Sequence, residues 1–403
     1  MRPLLLLAGA ILAPWAASAP ARADDGDKVV FEKKASEWLA ILQNDKETNK
    51  RRIALFALQT AGPQTRKIFD VVGSALREDK EDLIRKMAAQ TLGNLTAKGI
   101  EDRIEKLPVK TALDALIFAL IKDKSPEVRE TAAGALGNIG PQAREAITFL
   151  AESLKDASVD VRAAAADSLG RVGESAKDAT SALVQALRDN KTKDGLKVRR
   201  NIVSAIVRIG KADSTTVAVL AEIGEEAEPA DLTMEQRAAH ADLRQRSVDA
   251  LGALGHSSAV QPLSRILANS IQNKDVELSR ATIAALNRFG IERKLAIPAF
   301  KAALDPSQDQ FVRAQAIYAF GRLGKELSAD DRKVVVPAIK QALGDKVSDV
   351  RLAAIIALGE LGPAILGDEL KAVKSEIQLA TRSGEANIRQ AATTALKQLE
   401  KTP

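Results

Sequence analysis

The sequence contains no cysteine. That excludes disulfides, thiolate metal sites, haem attachment through Cys-x-x-Cys-His and a cysteine nucleophile. Aromatic residues make up only 3% of the chain, and His240 and His256 are its only histidines. His240 has Glu235 and Asp242 for neighbours, which does not place two ligands at i, i+4 on a helix. No zinc site, and no metal or cofactor of any kind, is expected. A Gly-x-Ser-x-Gly elbow and a glycine-rich phosphate loop are both missing, so neither a serine triad nor nucleotide chemistry has support. Sustained strand alternation is missing as well, and no sheet is expected.

What remains is aliphatic and charged. Of 403 residues, 46% are hydrophobic and 28% charged, with Ala, Leu, Ile and Val supplying the apolar part. A single core rarely grows beyond roughly 250–300 residues, so this length implies several domains or a repeat array.

The N-terminus reads as a secretory leader. In "MRPLLLLAGAILAPWAASAPARADD" a basic Arg2 precedes an apolar stretch from Leu4 to Trp15. The small-x-small site Ala21-Arg22-Ala23 then precedes Asp24 and Asp25, so cleavage after Ala23 is expected. Ala17-Ser18-Ala19 competes, but it would leave Pro20 after the cut. The apolar core is short for a bilayer span. Residues 1–23 are therefore expected to be a signal peptide, with an uncleaved membrane anchor as the alternative, residues 24–403 the folded part, and the destination periplasmic or secreted, with no transmembrane span after cleavage. Losing Arg2 and Arg22 lowers Lys+Arg from 59 to 57 against 53 acids, which leaves a mild +4.

One phrase returns along the whole folded part: "DKSPEVRETAAGALGNIG" at Asp123 to Gly140, "VRAAAADSLGRVG" at Val161 to Gly173, "VRLAAIIALGELG" at Val350 to Gly362. Its basic residue recurs as Arg51, Arg85, Arg129, Arg162, Arg199, Arg244, Arg313, Arg351 and Arg389. In the irregular copy from Leu278 to Gly290, Ser279 holds the slot. Spacings of 33 to 45 residues fit helical-hairpin solenoids, and ten copies are visible. Within a copy, Val128, Ala132, Ala135, Leu136 and Ile139 form one helical face, which Gly140 and Pro141 end. Second helical phrases lie upstream of several copies, at Pro262 to Ala268, Pro298 to Leu304 and Pro337 to Leu343. The fold class is all-α, an α-solenoid or superhelix of about ten helical hairpins.

This resembles the HEAT repeat family, in the short variety of phycobilisome lyase-like proteins, over about residues 35–400. The resemblance implies a structural ladder of turn Asp and second-helix Arg between neighbouring repeats. The matching positions are Asp45 and Arg51, Asp79 and Arg85, Asp123 and Arg129, Asp156 and Arg162, and Asp345 and Arg351. A guanidinium can bridge turn carbonyls and carboxylates together, as Lys cannot. Where position −6 is Lys193, Ala238, Ser307 or Ser383, the ladder is expected to be interrupted or re-routed.

Two units are stretched, around 95–110 and 224–244. The second carries Glu222, Glu225, Glu226, Glu228 and Asp231, an acidic patch, ahead of a helix that Thr233 would cap. The second helices also carry Arg171, Arg208, Arg288 and Arg322 two residues before the closing glycine or its equivalent, with Arg200 and Arg280 eight residues before Arg208 and Arg288. The resemblance puts second helices on the concave surface, where these six would form a binding stripe.

Function is then expected to be non-enzymatic: an exported scaffold that holds a protein partner, or an acidic segment, on its concave surface. The alternatives are an anionic polymer bound by the arginine stripe and, more remotely, a lyase-type HEAT enzyme. Specific nucleic-acid binding is not expected, since Trp38 and Tyr318 are the sole Trp and Tyr of the folded part and base stacking needs interleaved aromatics.

Overall fold

The computed structural model describes residues 27–400 apart from Gln64. The leader assigned to residues 1–23 lies outside the described residues. The chain divides between Ile139 and Gly140 into two compact units. The first holds three helical hairpins: Ala35–Asn44 with Thr48–Ala61, Arg66–Glu78 with Asp82–Glu101, and Val109–Lys122 with Pro126–Ile139. The second holds seven, whose second helices are Val159–Val172, Leu196–Ile209, Met234–Leu254, Val276–Leu286, Gln310–Gly321, Ser348–Leu361 and Ala386–Glu400. The fold is an all-α solenoid. No single helix among the described residues is long and apolar enough to cross a membrane.

Each hairpin has an apolar face that only its neighbour covers, which is why the pattern must repeat. Val128, Ala132, Leu136 and Ile139 are at most 3% exposed. The helices stop where the backbone turns left-handed at glycine, with φ of +72° at Gly173, +74° at Gly210 and +75° at Gly362.

A second glycine, inside the helices, sets the distance between repeats. Gly93, Gly170, Gly252, Gly321 and Gly359 each stand eight residues after the recurring slot. A Cβ on Gly93 would lie 2.7 Å from the Ala135 Cβ. A Cβ on Gly170 would lie 2.8 Å from the Ala205 Cα, and one on Gly321 2.8 Å from the Ala357 Cα. Gly252 meets Ala285 and Gly359 meets Ala395 in the same way. Successive second helices thus touch backbone to backbone, glycine against alanine. Gln59, Val207, Asn287 and Lys397 hold the glycine position in four other repeats.

A small β-hairpin precedes the array. Val29–Val30 pairs antiparallel with Lys33–Lys34 through a turn whose Phe31 and Glu32 have φ of 48° and 65°. The Trp38 Nε1–H donates to Val30 O at 2.8 Å, and the Phe31 ring stacks on Phe56 with centroids 5.8 Å apart. Terminal repeats need such a cover for their open face. It is two residues per strand and adds no sheet layer.

The stretched units fold back on the array. In the first unit the extra residues lengthen the helix Asp82–Glu101, and Leu107 returns over Gly99, where a Cβ would lie 2.5 Å from it. In the second they lengthen Met234–Leu254, which opens on a capping box between Thr233 and Gln236. The upstream phrase at Pro337 sits inside a longer helix, Ala329–Ala342, which begins at a Ser328–Asp331 capping box with Pro337 in its interior.

The glycine positions make a test within one unit. Gly134 lies in a helix and has open space where a Cβ would go. Gly134→Ala should stabilise by roughly 0.5–1 kcal/mol through helix propensity. Gly93→Ala should destabilise by roughly 1–3 kcal/mol, because the helices must part. Urea midpoints compare the two, and shifts of the same sign would remove the close-approach role.

Candidate functional site

The recurring arginine works at the turns. In the first unit, Arg51 donates through Nη1 to the carbonyls of Asp45 (3.1 Å) and Lys46 (3.0 Å) in its own turn. Its Nε and Nη2 grip Asp79 of the next turn at 2.7 and 2.9 Å. Arg85 repeats this with Asp79 O, Lys80 O and the Asp123 carboxylate. Asp123 closes the turn it belongs to, accepting from the Ser125 N–H. Burial alone would raise the Asp123 carboxyl, but hydrogen bonds from Arg85 and Ser125 outweigh it and hold the group below the usual carboxylate range. The Asp six residues before each Arg therefore offers its carbonyl to that Arg, while Asp79 and Asp123 give their carboxylates to the Arg of the repeat before. Arg129 likewise bonds the Asp123 and Lys124 carbonyls.

In the second unit Arg313 grips Asp345 at 3.1 and 2.9 Å. Elsewhere the acceptor changes. Arg162 takes the Asn190 Oδ1 (2.9 Å) together with the carbonyls of Asp156 and Ala157. Arg199 takes Glu226, Arg244 takes Asp275 at 3.1 Å, and Arg351 takes Glu385 at 2.8 Å. Arg389 bonds carbonyls of its own turn, Ser383 O and Gly384 O. In the irregular copy the Ser279 hydroxyl donates to the Ser270 hydroxyl at 2.8 Å, both groups buried.

The six arginines of the expected stripe do not form a uniformly basic surface. Arg171 donates to Asp167 at 2.8 Å, and Arg208 of the following repeat donates to the other oxygen of the same carboxylate at 2.9 Å. Arg200 lies 2.6 Å from Asp242, which also holds Arg246 at 2.8 Å. Arg280 lies 3.5 Å from Glu277 and 5.0 Å from the centre of the Phe311 ring. Arg288 acts electrostatically on Asp249, whose carboxyl burial nevertheless pushes up. Arg288 and Arg322 are exposed. Asp167 and Asp249 each stand five residues after the slot, and Arg208 and Arg288 nine after the next. The face carries alternating charge, with a carboxylate interposed from repeat to repeat.

The acidic patch of the stretched unit is also largely paired. Glu225 holds Arg265, Glu228 holds Arg237, and Asp231 holds Lys193. Glu226 is drawn between two buried side chains, with Arg199 at 2.5 and 3.0 Å and His240 Nε2 at 3.6 Å. Its carboxyl would be raised by burial, but hydrogen bonds from His240 and Arg199 bring it down to about 2. No cluster of three or more His, Cys, Asp or Glu suited to a metal occurs among the described residues.

The resemblance to HEAT repeats implied such a turn ladder, and sequence comparison identifies the family. The family described as HEAT repeats matches residues 96–169, 113–196, 147–236, 231–321 and 297–397. The chain belongs to the HEAT repeat family. No curated protein matches it. In fold it is similar to an engineered protein solved by crystallography, with 18% identity, a TM-score of 0.54, and 92% of this chain and 100% of that one covered. It is also similar to Kap95p in a structure with RanGDP, with 16% identity, a TM-score of 0.61, and 91% and 50% covered. A Kap95:Nup1 complex aligns with 16% identity and a TM-score of 0.51 over the same shares. The chain spans half the length of the Kap95p chain.

In HEAT terms the ladder acceptors missed in the sequence are Asn190, Glu226, Asp275 and Glu385. None stands six residues before a slot, because the turns differ in length while the guanidinium needs only an acceptor within about 3 Å. The one available signal was an acid or amide in each following turn.

Two outcomes follow for this HEAT array. Arg85→Lys should cost roughly 1–3 kcal/mol by urea denaturation, since an ammonium cannot grip Asp123 and two carbonyls together. Arg351→Lys should cost less, its partner Glu385 being 42% exposed. Because the Glu226 carboxyl is lowered from 4.5 to about 2, its contribution is complete above the unfolded value and is lost as pH falls through the folded one. The urea midpoint should drop as pH falls from 4.5 toward 2, and Glu226→Gln should flatten that drop. An unchanged profile in the variant would assign the acid loss to other carboxylates.

Proposed function

We propose that this protein is an exported, non-enzymatic scaffold that binds a protein partner along the exposed face of its second helices. The observation that carries the reading is the shared Asp167 carboxylate, which holds Arg171 and Arg208 of successive repeats in fixed, exposed positions. Paired but exposed guanidiniums stay within reach of a partner while their charge is already balanced. That favours a specific, mixed-charge protein surface over an indiscriminate polyanion. The family resemblance puts these helices on a concave surface, and the similar Kap95p structures name RanGDP and Nup1 as bound proteins. Export rests on the leader at residues 1–23. The polyanion reading retains Arg288 and Arg322 as exposed cations and is separated by salt.

The test is a pull-down from the native envelope fraction with residues 24–403 as bait, at low and moderate salt. A parallel bait carries Arg171, Arg208, Arg288 and Arg322 changed to Ala. One protein that stays bound at moderate salt and is lost with the four changes is the expected result. Recovery of anionic polymer alone, washed off by salt, overturns it in favour of the polyanion reading. Capture indifferent to the four changes moves the site away from this face.

A further inference from the structure

The turn edge of the stretched unit in the second half holds a feature that the scaffold reading does not use. A cavity of about 320 Å³ opens between the turn at Lys191 and the segment that leads to Met234, with Arg199, Glu226 and His240 at its base and Leu196 and Leu232 on its walls. That volume lies at the lower end for small-molecule sites. Arg199 is 2% exposed and His240 4%.

The arginine here is posed unlike its counterparts. In Arg51, Arg85, Arg162 and Arg313 the Nε–H is spent on the acceptor of the next turn. In Arg199 the two terminal nitrogens take Glu226, and the Nε is buried with no hydrogen-bond partner. A buried N–H on a charged group is costly to leave unmade, by more than a neutral donor would be. It lies on a residue that lines a cavity, where an incoming acceptor would satisfy it.

Charge selects the acceptor. Arg199 cancels Glu226, and Lys193 at the rim cancels Asp231. Lys191, also at the rim and exposed, has no ion-pair partner among the described residues. The site therefore carries one uncompensated cation, with the His240 ring beside it. A dianion would meet the Glu226 carboxylate without a second cation to offset it. The buried walls of Leu196 and Leu232, 7% and 8% exposed, ask for an apolar body.

We propose that this cavity binds a small organic monocarboxylate with an apolar body, its carboxylate accepting from Arg199 Nε and facing Lys191, its hydrocarbon against Leu196 and Leu232. The site lies at the inter-helix turns, away from Arg171 and Arg208, so it stands or falls apart from the scaffold reading.

The test uses the folded chain, residues 24–403, and 4-phenylbutyrate as probe, followed by ligand-observed saturation-transfer NMR and calorimetry. Binding should saturate with a dissociation constant on the order of 1 mM, as expected for a dozen-atom ligand. The neutral 4-phenylbutyramide should bind at least roughly tenfold more weakly, the factor for a charge-assisted hydrogen bond. Leu232→Trp should fill the cavity and abolish binding. Because that variant also alters buried packing, Lys191→Ala at the exposed rim serves as the second, with a roughly threefold or greater loss. An unaffected Arg171→Ala/Arg208→Ala control completes the expected pattern. Equal binding of acid and amide, displacement by inorganic phosphate at equal concentration, unchanged affinity in Lys191→Ala, or no saturation at about ten times the expected constant would each overturn the assignment.

Discussion

Everything in this array rests on one guanidinium used twice. A helical hairpin has no means of fixing the register of the next hairpin beyond apolar contact, and aliphatic surfaces slide. The second-helix arginine removes that freedom, because its flat fork has one arm for the carbonyls of its own turn and another for the carboxylate of the following turn. In Arg51 with Asp79, and in Arg85 with Asp123, both partners are nearly excluded from water. Breaking such a pair leaves an uncompensated buried charge, which is far more costly than the intact pair is stabilising. The arrangement therefore selects register more than it adds net stability.

The glycine–alanine contacts serve the same end by another route. Where a glycine of one helix lies on the alanine of the next, the two backbones close to a separation that no larger residue allows, and the alignment along the helix axis is set by the single position without a side chain. Ladder and contact sit at opposite ends of the second helix, the first at its entry and the second near its exit. A helix gripped at both ends cannot rotate about its axis, and its outward face stays outward from repeat to repeat.

That division explains what the sequence disclosed. Hairpin number and register were legible because the slot residue and the closing glycine recur together, as in Arg162 with Gly173 and Arg351 with Gly362. The paired glycines of "GNIG", "GRVG" and "GELG" were legible only as helix endings. The first glycine of the latter two phrases, Gly170 and Gly359, is a contact surface, and nothing in a single helix distinguishes a glycine that ends a turn from one that admits a neighbour. The partners Asn190 and Glu226 were illegible for a spatial reason: loops of different length deliver an acceptor to the same point from different sequence offsets. The arginines of the exposed face read as a basic stripe because Asp167 and Asp249 lie four residues from Arg171 and on the preceding helix from Arg288, and pairing across repeats has no signature in either helix alone. The hairpin around Phe31 and Glu32 escaped notice since neither is a turn-forming residue; packing on Trp38 and Phe56 imposes it.

One repeat lacks both grips. Its slot is Ser279 where the others have arginine, and Asn287 stands where a glycine would admit the following helix. The Ser279 hydroxyl is satisfied within its own hairpin by Ser270, so it reaches nothing in the next. In a one-dimensional array, where each unit is stabilised by its immediate neighbours alone, cooperativity is only as long as the strongest unbroken run of interfaces. The junction between Val276–Leu286 and Gln310–Gly321 is then the natural seam of the second unit: the place where local opening starts, where partial unfolding would stop spreading, and where the two flanking stretches are freest to swing.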